Sequence, residues 1–259
     1  MRRLIVMGLG GLALCLGGSA PDRHAAFTTR AFAAARLPDV FVWAWERSED
    51  LSFLDPRRIG VAYLARTVRL RGDDVLTRPR MQRLRVPDGA IMLAVVRVEA
   101  DRAHPPSYSE TLERALVDTI AVEANPRIAG IQIDFDAALS ERRFYREMLI
   151  ALRQRLPATR LSITALASWC THDTWLAGMP IDEAVPMLFR MGVDDRRIRA
   201  HVDAGRDFRP DVCRRAVGVS TDETIPTRSW SDRRVYVFHP RPWSSDSVTA
   251  ALRQLGMDP

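Results

Sequence analysis

Two aspartates two residues apart close the alternating stretch Gly130-Ile131-Gln132-Ile133-Asp134-Phe135-Asp136. Side chains on a strand alternate between faces, so Gln132, Asp134 and Asp136 share one face while Ile131, Ile133 and Phe135 share the other. Neighbouring carboxylates can divide acid and base duties, because burial or the charge of one holds the proton on the other into the range where it can be donated. On this reading Asp136 is the acid, and Glu46, Asp134 or Glu223 is the base or nucleophile. The structural alternative is that the two aspartates accept hydrogen bonds from loop amides or pair with lumen arginines such as Arg66, Arg97 or Arg190.

Other residue types suited to binding fall near the ends of expected strands. Trp43 and Trp45 lie on one face of the first strand, with Glu46 after them, and Trp169 follows the fifth. Indole faces suit sugar rings, so these three tryptophans are candidate platforms, joined by Gln132, Arg190 and His239 as candidate substrate contacts. Ser162, Thr164 and Ser168 form a further polar face, which points to a hydrated lumen. Cys170-Thr171-His172-Asp173 contains metal-binding residue types, but the spacing matches no familiar zinc pattern, and no metal or cofactor is expected.

The elements that would position these groups alternate regularly. Apolar runs at residues 40–46, 59–66, 90–98, 128–135, 161–167, 184–189, 216–220 and 235–239 read as eight strands. Helical patterns are expected at 107–125 (with Ser107 and Glu110 as a capping box), 140–156, 173–177, 194–204 and 245–255, the last ended by Gly256. Strands alternating with helices imply right-handed crossovers and a parallel sheet, and eight strands are the number that closes a (β/α)8 TIM-like barrel. Helices are hard to find between the first three strands, so that side is expected to be irregular. In a barrel, the acidic face of the fourth strand would point into the lumen, toward the C-terminal rim where barrel active sites are built.

The chain has 259 residues, 47% of them hydrophobic, enough for one sizeable core. Its net charge of +6 does not imply nucleic acid, because the 38 basic residues are all arginine and are scattered rather than gathered into a stripe. Arg2 and Arg3, the apolar run from Leu4 to Leu16 and the small residues Gly17 to Ala20 follow the order of a secretory signal peptide. The organisation expected is a leader and the start of a connector over 1–26, a connector over 27–38 and a barrel over 39–259. The protein would be periplasmic or secreted, without stable membrane insertion after leader cleavage. A lipoprotein anchor is the lesser alternative, since a bulky Leu14 precedes Cys15. Cys170 follows a strand and Cys213 precedes one, so the two are expected at opposite ends of the barrel and unpaired.

Four blocks carry a family resemblance: Val42-Trp43-Ala44-Trp45-Glu46-Arg47, Gln132-Ile133-Asp134-Phe135-Asp136-Ala137, Ser162-Ile163-Thr164-Ala165-Leu166-Ala167-Ser168-Trp169-Cys170 and the stretch Asp182 to Gly192. Together they resemble an uncharacterised bacterial family, domain of unknown function 3142. The fourth strand is also similar to the acidic signature of chitinase-like glycoside hydrolases. That resemblance implies Asp136 as proton donor and Asp134 as the acid that orients it. Gln132 replaces an earlier Asp of the pattern, the donor is Asp rather than Glu, and Met187-Leu188-Phe189-Arg190 lacks the two polar groups that hold a substrate acetamido nucleophile. The sequence therefore suggests a glycoside hydrolase-like protein acting on a polysaccharide or glycan, with a non-catalytic glycan- or partner-binding barrel as the alternative. A third reading of Asp134 and Asp136, as the metal site of a glycosyltransferase, sits poorly with export.

Overall fold

A computed structural model describes residues 36–225, 230 and 232–258. The leader expected at the N-terminus, and most of the connector, lie outside the described residues. Eight parallel strands close on themselves: β1 (Val40–Ala44), β3 (Ile59–Arg71), β6 (Met92–Ala100), β7 (Gly130–Asp134), β8 (Leu161–Leu166), β9 (Glu183–Met187), β10 (Ala216–Ser220) and β11 (Arg234–Phe238). Closure comes from β1, which pairs in parallel with both β3 and β11. This is the (β/α)8 TIM-like barrel expected from the alternation.

The first third is irregular, as the missing helical patterns implied. The turn at Gly72-Asp73 returns β3 into an antiparallel hairpin with β4 (Asp74–Pro79), and β2 (Glu49–Asp50) pairs with β5 (Leu84–Arg85) in a separate two-stranded sheet. From β6 onward helices cover the wall: α1 (Glu110–Ala121), α2 (Arg142–Arg155), the short α3 (Ala167–Thr171), α4 (Asp195–Asp203) and α5 (Ser245–Gln254). Helix α1 is capped by Ser109, whose hydroxyl accepts from the Leu112 N–H at 3.2 Å, not by Ser107, which instead donates its hydroxyl to Ser109. The short helix expected at 173–177 lies earlier, at Ala167–Thr171, because the chain enters a helical turn directly off the strand end.

Alternation sorts the strand residues between two cores. Ile131, Ile133 and Phe135 face outward, buried with Tyr145, Met148 and Leu149 of α2. Inside the barrel, aromatic rings form a continuous column: Phe41 stacks on Tyr236 at 5.1 Å, Tyr236 on Trp43 at 5.3 Å, Trp43 meets Phe189 at 6.1 Å, and Phe189 stacks on Phe238 at 5.8 Å. The column fits because β10 has no side chain at Gly218, where an added Cβ would come within 2.9 Å of the Trp43 ring. Large rings thus fill the lower and middle lumen where a hydrated interior was expected. Its polar groups are tied to one another: Trp43 donates to Gln132 at 2.8 Å, Gln132 to Ser162 at 3.1 Å, and Tyr236 to Glu183 at 2.5 Å. Such pairing is what makes buried polar groups tolerable.

Cys170 and Cys213 form a disulfide, with their Cα atoms 5.9 Å apart, contrary to the expectation of free thiols. The expectation placed each at a strand end. Cys170 belongs to α3 and Cys213 to a 3-10 turn (Asp211–Arg214), and both turns come together beside β9. A five-residue strand is only about 15 Å long, so two helical turns entering from its two ends can meet on its outer side. The Arg209 N–H donates to the Cys170 carbonyl at 2.8 Å and holds the segments in register.

Candidate active site

Above the aromatic column, at the C-terminal ends of β7, β8 and β9, the lumen opens into a cavity of about 320 Å³. The column is its floor, so the acids at the end of β7 stand where the packed lumen gives way to solvent. Asp134 is the last residue of β7 and partly buried, whereas Asp136, two residues on, is exposed. Both line the cavity.

The two carboxylates differ in surroundings. Asp134 accepts a hydrogen bond from Thr164 Oγ1 on the adjacent β8, at 2.7 Å. Burial first, and the like charge of Asp136 second, push its carboxyl up to about 6, against the opposing pull of Thr164 and Arg97. Asp136 makes no hydrogen bond or ion pair among the described residues, and the protein around it raises its carboxyl while Arg97 opposes. The upward push on Asp136 is the smaller, because its carboxylate reaches water. Both carboxyls are thus pushed upward, which favours a proton retained toward neutral pH.

None of the three arginines expected to pair with these acids forms an ion pair with either of them. Arg66 turns outward to Glu123, at 2.7 Å, because a register shift between Leu64 and Arg66 breaks the alternation of β3. Arg97 is at the cavity but gives its Nε to Glu99 at 2.9 Å and lies over Trp45. Arg190 lines the cavity with its guanidinium over Phe238. A pair of acids locked to arginines and covered would have had no proton to give.

The other expected residues divide. Trp43 and Trp45 line the cavity, Trp43 as a buried floor and Trp45 as a partly open wall. Gln132 is fully buried beneath it, held between Trp43 and Ser162, and so positions the floor rather than meeting a ligand. Glu46 lies outside the cavity, paired with Arg78, which the β3–β4 hairpin brings over it. Glu223 also lies outside, accepting from the Arg190 N–H at 2.9 Å and from Arg199 at 3.2 Å. Trp169 is buried on the outer wall, edge-on to Trp175 at 5.0 Å, with Arg142 over its ring. His239 faces away as well: its ring packs on Trp243 at 4.8 Å and Nδ1 meets Thr221 Oγ1 at 2.6 Å. Cys170 is spent in the disulfide and Asp173 in an ion pair with Arg142, which leaves the 170–173 stretch no ligand set of its own.

Among the cavity residues that escaped the sequence reading are Phe189, Phe238 and Asp194. The two phenylalanines were legible, since Val185, Met187 and Phe189 alternate inward on one strand, and Tyr236 and Phe238 on another. Asp194 comes from the loop before α4 and is bound to Arg197 at 2.8 Å; no strand pattern reports on it.

Two comparisons with known proteins bear on this arrangement. No curated protein matches the chain. Among solved structures, a candidate chitinase A from Streptomyces coelicolor is similar in fold, with a TM-score of 0.53 over 84% of this chain and 96% of that one, at 11% identity. Residues 88–190 match the family model described as Domain of unknown function (DUF3142). The matched stretch runs from just before β6 to Arg190, and it contains Asp134, Asp136, Arg97 and Arg190 of the cavity lining.

Proposed function

We propose that the protein is an exported carbohydrate-active enzyme of glycoside hydrolase type, with Asp136 as general acid. The observation that carries this reading is an exposed carboxylate, free of any ion pair among the described residues, beside a second acid whose proton is held to about pH 6, both at the C-terminal rim of a barrel. Asp136 would give its proton to the glycosidic oxygen. Asp134, kept in orientation by Thr164, would store the pair's proton and pass it to Asp136 as that residue protonates the glycosidic oxygen; left as a carboxylate, Asp134 would then answer the positive charge that grows on the sugar ring. Trp45 offers the partly open aromatic face against which a ring can lie. The leader-like N-terminal sequence supports export, and so does the disulfide, since such bonds persist in oxidising compartments.

The second reading is a non-catalytic glycan-binding barrel. It is favoured by the placement of both acids on one strand, since a two-carboxylate mechanism flanks the scissile bond from two sides. The third acid of the lining, Asp194, is held by Arg197.

A panel of polysaccharides and chromogenic glycosides, tested on the wild type and on Asp136→Asn, separates the two. A general acid predicts turnover lower by about 10²–10⁴-fold in the variant, with glycan binding retained. Because Asp136 is exposed and unbridged, the melting temperature should move by no more than about 2 °C, as for other surface changes. A fall of many degrees without a specific loss of turnover would refute the assignment.

A further inference from the structure

We propose that the cavity selects a sugar bearing an anionic substituent, a carboxylate or a sulfate on the ring, and that Arg190 is the residue that reads it. The inference rests on the carbohydrate reading above and names the class of its substrate.

Two arginines line the cavity, and their circumstances differ. Arg97 is engaged by Glu99 at 2.9 Å. Arg190 has as its nearest carboxylate Asp222, at 3.8 Å, and its side chain is 57% exposed. One oxygen of that Asp222 is already taken by the Ser220 hydroxyl. Glu223 does not neutralise the guanidinium either, because Oε1 accepts the backbone N–H of Arg190 and Oε2 faces Arg199. Arg190 is therefore the least compensated cation at the cavity, and its guanidinium makes no hydrogen bond among the described residues.

It is also held in place. The Arg190 backbone sits at φ 52°, in the left-handed region that side-chain-bearing residues seldom occupy. Such a conformation persists only where the surroundings impose it, and the Glu223 carboxylate does so by accepting the peptide N–H. The guanidinium carbon lies 4.8 Å from the centre of the Phe238 ring. Packed on an aromatic ring, a guanidinium loses freedom but keeps N–H groups for a ligand, and a planar fork of donors suits a two-oxygen anion better than a single hydroxyl. The acids stand at the end of β7 and just past it, and Arg190 just beyond β9, with β8 between them. A sugar spanning the cavity can thus put its anionic group at Arg190 while its glycosidic oxygen faces Asp136.

The test is calorimetric binding of uronic-acid oligosaccharides, their carboxyl-reduced counterparts and sulfated forms of the reduced chains, to the full-length protein, Arg190→Gln and Arg190→Lys. The wild type is expected to bind an anionic form at least tenfold more tightly than the neutral one. Arg190→Gln should abolish that preference by weakening the anionic chain at least tenfold more than the neutral one, and Arg190→Lys should restore part of it, as a point charge without the fork. Comparing the uronic and sulfated chains identifies the anion, and Arg190-dependent preference for either one supports the proposal. Equal or tighter binding of the neutral chain, equal weakening of all ligands by Arg190→Gln, or no binding of any of them would overturn it. Arg190-dependent binding without cleavage would uphold this inference and sink the hydrolytic reading. Cleavage of neutral glycans without anionic preference would do the reverse.

Discussion

Replacing Asp134 by Asn should stabilise the protein at neutral pH and not in acid. The folded protein holds this carboxyl at about 6 against an ordinary value of 3.8, mainly through burial and the charge of Asp136. Between those two values the folded state keeps a proton that the unfolded chain gives up, so stability falls as pH rises from about 4 to about 6 and is level above. A shift of about two pH units corresponds to roughly 3 kcal/mol, and partial exposure of the side chain reduces this to about 2 kcal/mol. Asparagine keeps an oxygen to accept from Thr164 Oγ1 and removes the charge, so most of that cost should be recovered. For a barrel of this length, about 2 kcal/mol is on the order of 4–8 °C in melting temperature. The assay is thermal unfolding followed by circular dichroism at pH 4 and pH 7.5, wild type beside variant. The gain should appear at pH 7.5 and vanish at pH 4. An equal shift at both pH values, or destabilisation at pH 7.5, would show that Asp134 is not a strained charge and that the acid pair does not retain a proton.

Three further outcomes check the outer wall. Apart from Cys15, no thiol should label in denaturant before reduction and two should label after it. Cys213→Ser should cost about 4 kcal/mol, the loop-entropy value for cysteines 43 residues apart. Trp169→Ala should cost about 3–5 kcal/mol of stability, as for other buried large aromatics, yet leave glycan affinity unchanged, since the indole packs against Trp175 and Arg142 outside the cavity.

The barrel and the acids were legible because both rest on one physical regularity, the alternation of side chains along strands. Applied strictly, the same regularity corrects the site. Ser162, Thr164 and Leu166 are the inward-phase residues of β8, and Thr164 and Leu166 reach the cavity; Trp169 lies past the end of that strand, in α3, whose turn carries it to the outer wall. In β11 Tyr236 and Phe238 point inward, hence Val235, Val237 and His239 point out. The aromatic content of the strand ends invited a reading by residue type, but phase decides which aromatics meet a ligand.

What alternation cannot report is where a chain leaves the strand. The register shift in β3 sends Arg66 outward although its parity says inward, and no residue type at that point announces it. Arg190 is the opposite case. Phe189 is the inward residue, and its neighbour should face the helices, yet the left-handed backbone at Arg190 turns the guanidinium back over Phe238 and into the cavity. A glycine there would have signalled a turn of that kind. An arginine hides it, and what holds the turn is Glu223, 33 residues further along the chain. The disulfide escaped for a related reason, since the route of α3 and the 3-10 turn beside β9 is fixed by packing on the wall rather than by either cysteine's distance from a strand end. The acids at the end of β7 were therefore within reach of sequence, while the cation facing them depends on contacts between segments far apart in the chain. Substrate choice, if Arg190 governs it, is set by the part of the site that the local pattern conceals.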